Sequence, residues 1–274
     1  MSLTSLAKIL LCRTRVGTAC KMLPWAERGV ERYTLSRKNE TGIFTGVFST
    51  YEEAQSHIPP SYRIGWDNQE SSRLWLTHYD MIQPTAYSTF FWIQTILKEN
   101  DSVVDYGGSI GLSYYGYTER TSLPQGVTWN IVEVPKIAEA GRHLAEKNHA
   151  AGLVFYDELR QAPPAKLFFS AGTIQYIRDG VPGCLEKLAS LPLHVIINKV
   201  PLTDRTPSFW TIQNFGPAIS SYRVYNRSEF LGYFKDFGYE VVDSWEVPDL
   251  SCDIPFHPQH TILRMGGLYF RRSE

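Results

Sequence analysis

Short apolar runs alternate with amphipathic segments through the last two thirds of the chain. Five runs are predicted strands: DSVVDYGG (101–108), TWNIVEV (128–134), GLVFYDEL (152–159), AKLFFSAG (165–172) and LHVIINKV (193–200). Three segments with helical spacing follow or separate them: PKIAEAGRHLAEKN (135–148), PGCLEKLASL (182–191) and NRSEFLGYFKDFG (226–238). This alternation predicts an α/β fold, in which helices cover both faces of a mostly parallel sheet.

The chain ends in two further predicted strands, YEVVDSWEV (239–247) and HTILRMGGLYFRR (260–272), with no clear helix between them. Parallel neighbours need a crossover connection, so we expect these two strands to form an antiparallel hairpin at one edge. The sequence therefore predicts a Rossmann-like, seven-stranded, mostly parallel sheet within residues 101–274.

The first hundred residues carry no chemical motif, and we expect them to form a helical N-terminal extension or cap. PTAYSTFFWIQTILKEN (84–100) places apolar residues on one helical face, with a proline near its start. The apolar run AKILLC (7–12) is too short to span a bilayer, so we expect an N-terminal helix there and no membrane span.

Charge and cysteine content narrow the classes of protein further. Twenty-seven basic and 28 acidic residues give a formal net charge of −1, which argues against general nucleic-acid binding. The four cysteines, Cys12, Cys20, Cys184 and Cys252, show no C-x-x-C spacing. They are typical of reduced thiols in a cytoplasmic protein.

A glycine-rich turn follows the first predicted strand, in VVDYGGSIGLSYYGY (103–117). Ligands of open α/β sheets bind at the carboxyl ends of the strands, and glycines there let a ligand approach the backbone. Glu133 ends the next strand, 22 residues after Gly111, where an acid can bind two ribose hydroxyls. The turn and the acid together predict a nucleotide-like cofactor.

Two cofactor classes use such a turn. The dinucleotide motif G-x-G-x-x-G fails here, because Tyr106 occupies the place of its first glycine. The S-adenosylmethionine site resembles D-x-G-x-G-x-G, whose positions are taken in order by Asp105, Gly107, Ser109 and Gly111. An acid before the turn suits a sulfonium ligand with an ammonium group and would be poorly placed beside pyrophosphate. The sequence therefore favours S-adenosylmethionine.

The ends of later strands complete the predicted cofactor site. Asp157 is expected to bind the adenine amino group, and Ser170 to lie below the methionine portion. The full set of predicted cofactor-binding residues is Asp105, Tyr106, Gly107, Gly108, Ser109, Gly111, Glu133, Val134, Asp157 and Ser170.

These stretches carry a family resemblance. Residues 101–274 resemble a class I S-adenosylmethionine-dependent methyltransferase. Nearly the whole chain resembles a family of bacterial methyltransferases with little characterised biochemistry, through stretches such as GVFSTYEEA, FFSAGTIQYIRD and NKVPLTD. The resemblance implies a cofactor and methyl transfer, and it does not fix the substrate. Our leading hypothesis is a small-molecule or glycan acceptor, with O- or N-methylation and the oligomeric state left open. Ser109 departs from the glycine pattern at the middle position of the motif.

The acceptor is expected beside the cofactor. The predicted substrate-binding residues are Tyr114, Tyr115, Gln175, Tyr176, Arg205, Tyr222 and Arg223, and the last three fall in a long connection (198–226) read as a binding loop. No general base is identified, because His143, His149 and His194 lie on a surface helix or at the wrong end of a strand. Cys252, His257 and His260 are interpreted as part of a loop, with no metal site.

Two other functions stay open. A protein that binds the adenosyl cofactor without turnover fits the lack of an evident base. A nicotinamide-dependent oxidoreductase fits less well, because of Tyr106.

Overall fold

The structure is a computed structural model that describes residues 24–37, 42–62, 65–76 and 83–273. The predicted helix at residues 7–12, with Cys12 and Cys20, lies outside the described residues. The chain divides into two compact units. The first comprises the described residues up to Trp66 with Pro201–Phe230 and Pro248–Met265, and the second comprises those from Asp67 to Val200 with Leu231–Val247 and Gly266 onward.

The described residues form eight α-helices and eleven strands, numbered here in chain order. The helices are α1 (Pro24–Ser36), α2 (Tyr51–His57), α3 (Gln69–Leu76), α4 (Tyr87–Ile96), α5 (Leu112–Thr118), α6 (Pro135–Lys147), α7 (Gly180–Leu185) and α8 (Arg227–Asp236). The strands are β1 (Ile43–Phe48), β2 (Ser102–Tyr106), β3 (Thr128–Val132), β4 (Leu153–Tyr156), β5 (Leu167–Ala171), β6 (His194–Val200), β7 (Leu202–Thr203), β8 (Phe209–Asn214), β9 (Ile219–Asn226), β10 (Tyr239–Val247) and β11 (Met265–Arg272).

The second unit contains the predicted seven-stranded sheet. Its strand order is β10-β11-β6-β5-β2-β3-β4. Strands β4, β3, β2, β5 and β6 run parallel to one another, whereas β11 is antiparallel to β6. The mostly parallel sheet and the antiparallel C-terminal strands at its edge are confirmed.

The order of the strands reverses between β2 and β5. From β2 the chain proceeds outward to β3 and β4, and it then returns to β5 on the other side of β2. Such a reversal opens a crevice at the carboxyl ends of the strands, where open α/β sheets bind their ligands. The glycine-rich turn lies directly after β2, at this crevice.

The central strands are buried on both faces, which explains their continuous apolar character. Val103, Trp129, Ile131, Leu167 and Ile196 are completely inaccessible to solvent and belong to one core.

Local signals define several helix ends as expected. Pro135 opens α6, where its missing N–H is not needed. The Asn226 side chain caps α8 by accepting hydrogen bonds from the N–H groups of Ser228 and Glu229. The Glu229 carboxylate, at the position that would close a capping box with Asn226, instead accepts a hydrogen bond from the hydroxyl of Ser208.

The first unit is built around a second sheet, of order β1-β8-β9-β7. Strands β1, β8 and β9 are antiparallel, and β7 is parallel to β9. The core on this sheet includes Leu35, Phe48, Ile58, Trp210 and Ile212.

Two sequence predictions differ from the structure. The connection 198–226, expected to be a binding loop, instead contains β7, β8 and β9, which pair with each other and with β1. The helix predicted at 182–191 is shorter, because the backbone after Leu185 closes i→i+3 bonds from Lys187 and Leu188. The division of the chain at residue 100 stays a prediction.

None of the helices in the described part of the chain has the length and apolar character needed to cross a membrane.

Candidate cofactor and acceptor site

A cleft of about 330 Å³ lies at the carboxyl ends of β2, β3 and β4. Its volume is at the lower end of the range typical of small-molecule sites. It is lined by Tyr106, Gly107, Val132, Glu133, Val134, Asp157, Glu158, Leu159, Arg160, Thr173, Ile177 and Lys187. Five of the predicted cofactor-binding residues therefore line one cleft: Tyr106, Gly107, Glu133, Val134 and Asp157.

The turn after β2 uses backbone conformations that favour glycine. Gly107 and Gly111 have φ angles of 73° and 104°. Ser109, which replaces the middle glycine of the motif, also has a positive φ, 56°. Ser109 therefore adopts a left-handed conformation, at the cost of strain in a residue with a side chain.

Two of these glycines are also required by close packing. A Cβ atom on Gly107 would lie 1.9 Å from the Thr173 hydroxyl oxygen, and one on Gly108 would lie 2.6 Å from the Asp105 carboxyl group. The turn is thus compressed between the end of β5 on one side and the acid of β2 on the other.

Asp105 is a buried acid beneath the turn. Its side chain is 1% exposed, and Oδ2 accepts a hydrogen bond of 3.0 Å from the indole N–H of Trp129. Oδ1 is buried without a hydrogen-bond partner among the described residues. Burial raises the pKa of Asp105 to about 7; the bond from Trp129 opposes this, and the charge of Glu133 adds to it. A buried carboxyl group with an unused oxygen has a cost that a cationic ligand offsets.

Glu133 connects the glycine turn to the start of α6. Its Oε2 accepts a hydrogen bond of 3.0 Å from the N–H of Ser109, and Oε1 accepts one of 2.8 Å from the N–H of Val134. Burial raises the pKa of Glu133 to about 7, although these two bonds lower it and the charge of Asp67 raises it further. Each carboxylate oxygen keeps a second lone pair, so both remain able to accept a hydroxyl hydrogen bond.

Apolar side chains in the cleft were missed by the sequence reasoning. Leu159 and Ile177 line it together with Val132, and these groups suit the flat, largely apolar surface of a nucleobase. Thr173 was also missed, although it follows the end of β5 by two residues, at the same edge as the predicted residues.

Three predicted cofactor residues make specific contacts with the protein. The Ser170 hydroxyl is buried and donates a hydrogen bond of 3.0 Å to the carbonyl of Tyr106. The exposed carboxylate of Asp157 forms a 2.6 Å ion pair with Arg142. The hydroxyl of Tyr106 lies near the Cys184 thiol, and burial raises the pKa of both groups, that of Cys184 to about 12.

Four predicted acceptor residues lie in the second unit. Tyr114 is half-buried, and its ring contacts the rings of Tyr115 and Trp129. Tyr115 is buried in the core, and Tyr176 is half-buried at the end of a short 3₁₀ turn. Gln175 is 3% exposed, and its amide nitrogen donates to the carbonyl of Lys199 at 3.4 Å.

The other three predicted acceptor residues belong to the first unit. Arg205 is exposed, and its guanidinium donates to the carbonyl of Thr261. Tyr222 is 1% exposed and packs edge-on against Phe44 in the core of this unit. Arg223 stacks over the rings of Trp210 and Tyr225. Their contact with an acceptor stays a prediction.

The histidines do not line the cleft. His143 and His149 are exposed on and after α6, and buried His194 lies at the opposite end of β6 with a pKa lowered to about 4 by burial. Cys252 is buried in a backbone bridge with Ile262. Among the described residues, no three histidine, cysteine or acidic side chains come together as metal ligands.

Solved structures share this fold at low sequence identity. The 1,6-didemethyltoxoflavin-N1-methyltransferase of Burkholderia thailandensis, solved with 1,6-didemethyltoxoflavin and S-adenosylhomocysteine, is 16% identical with a TM-score of 0.51, over 75% of this chain and 84% of that one. The magnesium protoporphyrin IX methyltransferase of Synechocystis PCC 6803, with bound S-adenosylhomocysteine, is 14% identical with a TM-score of 0.53, over 77% and 97%.

The fold is therefore that of class I S-adenosylmethionine-dependent methyltransferases, as the sequence predicted. No protein-family model matches the chain, and no curated protein matches it in sequence. The narrower resemblance to one bacterial family accordingly stays a prediction.

Proposed function

We propose that the chain is an S-adenosylmethionine-dependent methyltransferase that acts on a small-molecule or glycan acceptor. The observation that carries the proposal is the position of Glu133, whose carboxylate joins the glycine turn to the start of α6 at the edge of the cleft. The same position holds the acid that grips the ribose hydroxyls of nucleotide cofactors in doubly wound folds.

The residues of the cleft fit the parts of the cofactor. Leu159 and Ile177 supply apolar surface for the adenine, and Glu133 supplies acceptors for the ribose hydroxyls. Gly107 and Gly108 leave the backbone bare where the methionine portion passes. Asp105, buried with an unused oxygen, complements the positive charge of that portion.

When bound, the cofactor supplies an electrophilic methyl group on a sulfonium sulfur. Methyl transfer to the acceptor would leave S-adenosylhomocysteine as the product of the cofactor and would release the acceptor's proton to solvent. Alignment of the acceptor opposite the sulfur contributes most of the rate, up to about 7–11 kcal/mol in favourable cases. The protein's role is then to hold two ligands in line and exclude water.

A small-molecule acceptor is supported by the similar structures, since both are named for small-molecule acceptors. The formal net charge of −1, which is close to neutral, also favours a small-molecule acceptor over a nucleic acid.

Calorimetry with the full chain tests the cofactor. We expect S-adenosylmethionine and S-adenosylhomocysteine to bind and NAD not to bind. Glu133→Ala should weaken S-adenosylhomocysteine by about 100-fold, because two hydrogen bonds to a charged group are lost.

Glu146→Ala is the matched control, because it removes an exposed glutamate from α6. The affinity of this variant for S-adenosylhomocysteine should equal that of the unmodified protein. Folded protein that binds neither adenosyl ligand, or that binds NAD instead, would contradict the proposal.

A further inference from the structure

A β-bulge interrupts the carboxyl end of β6. Leu268 of β11 pairs with Ile197, and Gly266 pairs with Val200, so β6 has one more residue than β11 between these pairs. The extra residue places Asn198 and Lys199 opposite a single position. Bulges of this kind redirect a side chain and are frequent beside active sites.

Lys199 has an unusual backbone conformation at this bulge. Its φ is 58°, in the left-handed region that residues with long side chains rarely adopt. Such strain persists only where the surrounding structure enforces it, and it is concentrated at functional sites.

The neighbours of Lys199 enforce the conformation. The carbonyl of Asn198 accepts a hydrogen bond of 2.9 Å from the N–H of Gly172, and the Asn198 side chain is fixed by the indole of Trp245 and the carbonyl of Thr85. The carbonyl of Lys199 accepts from the amide of Gln175. Hydrogen bonds thus fix the backbone carbonyls of both Asn198 and Lys199, the two residues of the bulge.

The Lys199 side chain lies beside Gly172, directly after β5. Its Cβ and Cδ are 3.8 Å from the position that a Cβ of Gly172 would occupy, and the amide nitrogen of Gln175 is 3.9 Å from the same position. Thr173, the residue after Gly172, packs on Gly107 of the glycine turn. Lys199 and Gln175 therefore flank the end of β5 one residue away from the cofactor cleft.

Both side chains carry polar groups that the protein leaves unused. The Gln175 carbonyl oxygen is buried without a hydrogen-bond partner in the described part of the chain. Burial lowers the pKa of the Lys199 ammonium, and no carboxylate of the described residues forms an ion pair with it. A partly desolvated cation without a counterion has a cost that an anionic ligand offsets.

We propose that Lys199 and Gln175 form the acceptor subsite, which takes a small molecule with a carboxylate or phosphate group next to a hydroxyl or amine. Lys199 binds the anionic group, and the Gln175 oxygen accepts the hydrogen bond of the neighbouring donor. The inference rests on the proposed function, because it places the acceptor beside the cofactor cleft. It also predicts that cationic acceptors are rejected, since they would meet an ammonium group at close range.

Calorimetry with benzoate, phenyl phosphate and neutral benzamide tests the subsite, on the full chain saturated with S-adenosylhomocysteine. We expect at least one of the two anions to bind and benzamide to bind at least about 10-fold more weakly. The better anion identifies the acceptor group as a carboxylate or a phosphate. Lys199→Met should lose the anion affinity by about 10-fold or more, and Lys199→Arg should restore part of it. Lys147→Met, which removes an exposed lysine from α6, is the matched control.

A titration of the Lys199 amine by NMR, on chain carrying ¹³C-methylated lysines, gives a readout that a structural role would not move. The resonance assigned by its absence in Lys199→Met should shift to a higher pKa when the anion binds, because the anion stabilises the ammonium. Equal binding of benzamide and the anions, or unchanged anion affinity in Lys199→Met, would overturn the inference.

The two proposals fail separately. If S-adenosylhomocysteine does not bind, the proposed function fails, and the anions are then titrated alone. If S-adenosylhomocysteine binds to Lys199→Met as to the unmodified protein but the anions bind neither protein, only the acceptor subsite fails.

Discussion

Polar side chains at the amino ends and at the carboxyl ends of the strands in the seven-stranded sheet differ in their hydrogen bonding. Toward the amino ends, polar side chains pair with one another: Lys166 forms a 2.7 Å ion pair with Asp101, and the His194 ring is 2.8 Å from the hydroxyl of Tyr269. At the carboxyl ends, Asp105, Ser109 and Gln175 each keep a buried oxygen without a hydrogen-bond partner among the described residues.

The difference separates stability from binding within one sheet. Buried polar groups are normally paired, because leaving one unpaired costs about 1–3 kcal/mol. We therefore expect a ligand to complete the hydrogen bonding of the unpaired groups at the carboxyl edge. The amino edge needs no ligand, so changes there should alter folding and leave binding intact.

Gly107→Ala should have the largest combined effect on stability and cofactor binding, because it distorts the glycine turn at the carboxyl edge. The new methyl group would overlap Thr173, and a φ of 73° is strained for alanine. We expect a loss of about 1–3 kcal/mol of unfolding free energy and at least 10-fold weaker binding of S-adenosylhomocysteine. Denaturant unfolding and calorimetry on the same preparations measure both.

Gly232→Ala is the control for this change. A Cβ on Gly232 meets no atom within 4 Å, and the residue lies inside α8. Alanine should stabilise the helix by about 0.5–1 kcal/mol and leave binding unchanged. If Gly107→Ala binds S-adenosylhomocysteine as tightly as Gly232→Ala does, the glycine turn does not bind the cofactor.

The contrast between the edges was only partly predictable from the sequence. Apolar runs and helical spacing predicted the seven strands, because burial on both faces leaves a continuous hydrophobic signal. Glu133 and the glycine turn were found from their spacing. The free oxygens of Asp105 and Gln175 were not, because a sequence does not show which hydrogen bonds a side chain fails to make.

The second sheet was missed for a related physical reason. β8 and β9 contain polar residues that are buried, such as Thr211, Gln213 and Ser221, so their hydrophobic pattern is weak. β1 pairs with β8 across a long stretch of sequence, with Ile43 opposite Asn214, and such pairing has no local signal. The bulge at Lys199 was likewise invisible, since it arises from the register of β6 with β11.

Lys166→Met tests the amino edge. It leaves the carboxylate of Asp101, whose side chain is 19% exposed, with a hydrogen bond from the N–H of Lys98 but no countercharge. We expect a loss of about 1–2 kcal/mol of unfolding free energy, because the carboxylate is only partly solvated. The affinity for S-adenosylhomocysteine should stay within about twofold, as calorimetry measures.

Lys147→Met again serves as the control, because this exposed lysine lies in the last turn of α6 without an ion pair among the described residues. A marked loss of cofactor affinity in Lys166→Met would show that the two edges are coupled and that the comparison is wrong.

Asp105→Asn should change stability in the direction opposite to Lys166→Met, by an amount that depends on pH. The ordinary pKa of the aspartate is 3.8, and burial raises it to about 7 in the folded protein. The folded state therefore holds the proton more tightly than the unfolded state. The contribution of protonated Asp105 to the unfolding free energy is complete below about pH 4. It is lost as the pH rises to about 7, because the folded protein must then carry a buried charge.

Asparagine cannot ionise, so Asp105→Asn should gain stability relative to the unmodified protein as the pH rises. We expect the difference in unfolding free energy to be larger at pH 8 than at pH 5 by about 2–3 kcal/mol. The variant should bind S-adenosylmethionine about 10-fold more weakly at pH 8, because a charge that complements the sulfonium ligand is lost. Asp236→Asn, at an exposed position of α8, is the control. A variant that is more stable and yet binds the cofactor equally well would show that the unpaired acid has no role in binding, and that this edge of the sheet is strained without a function.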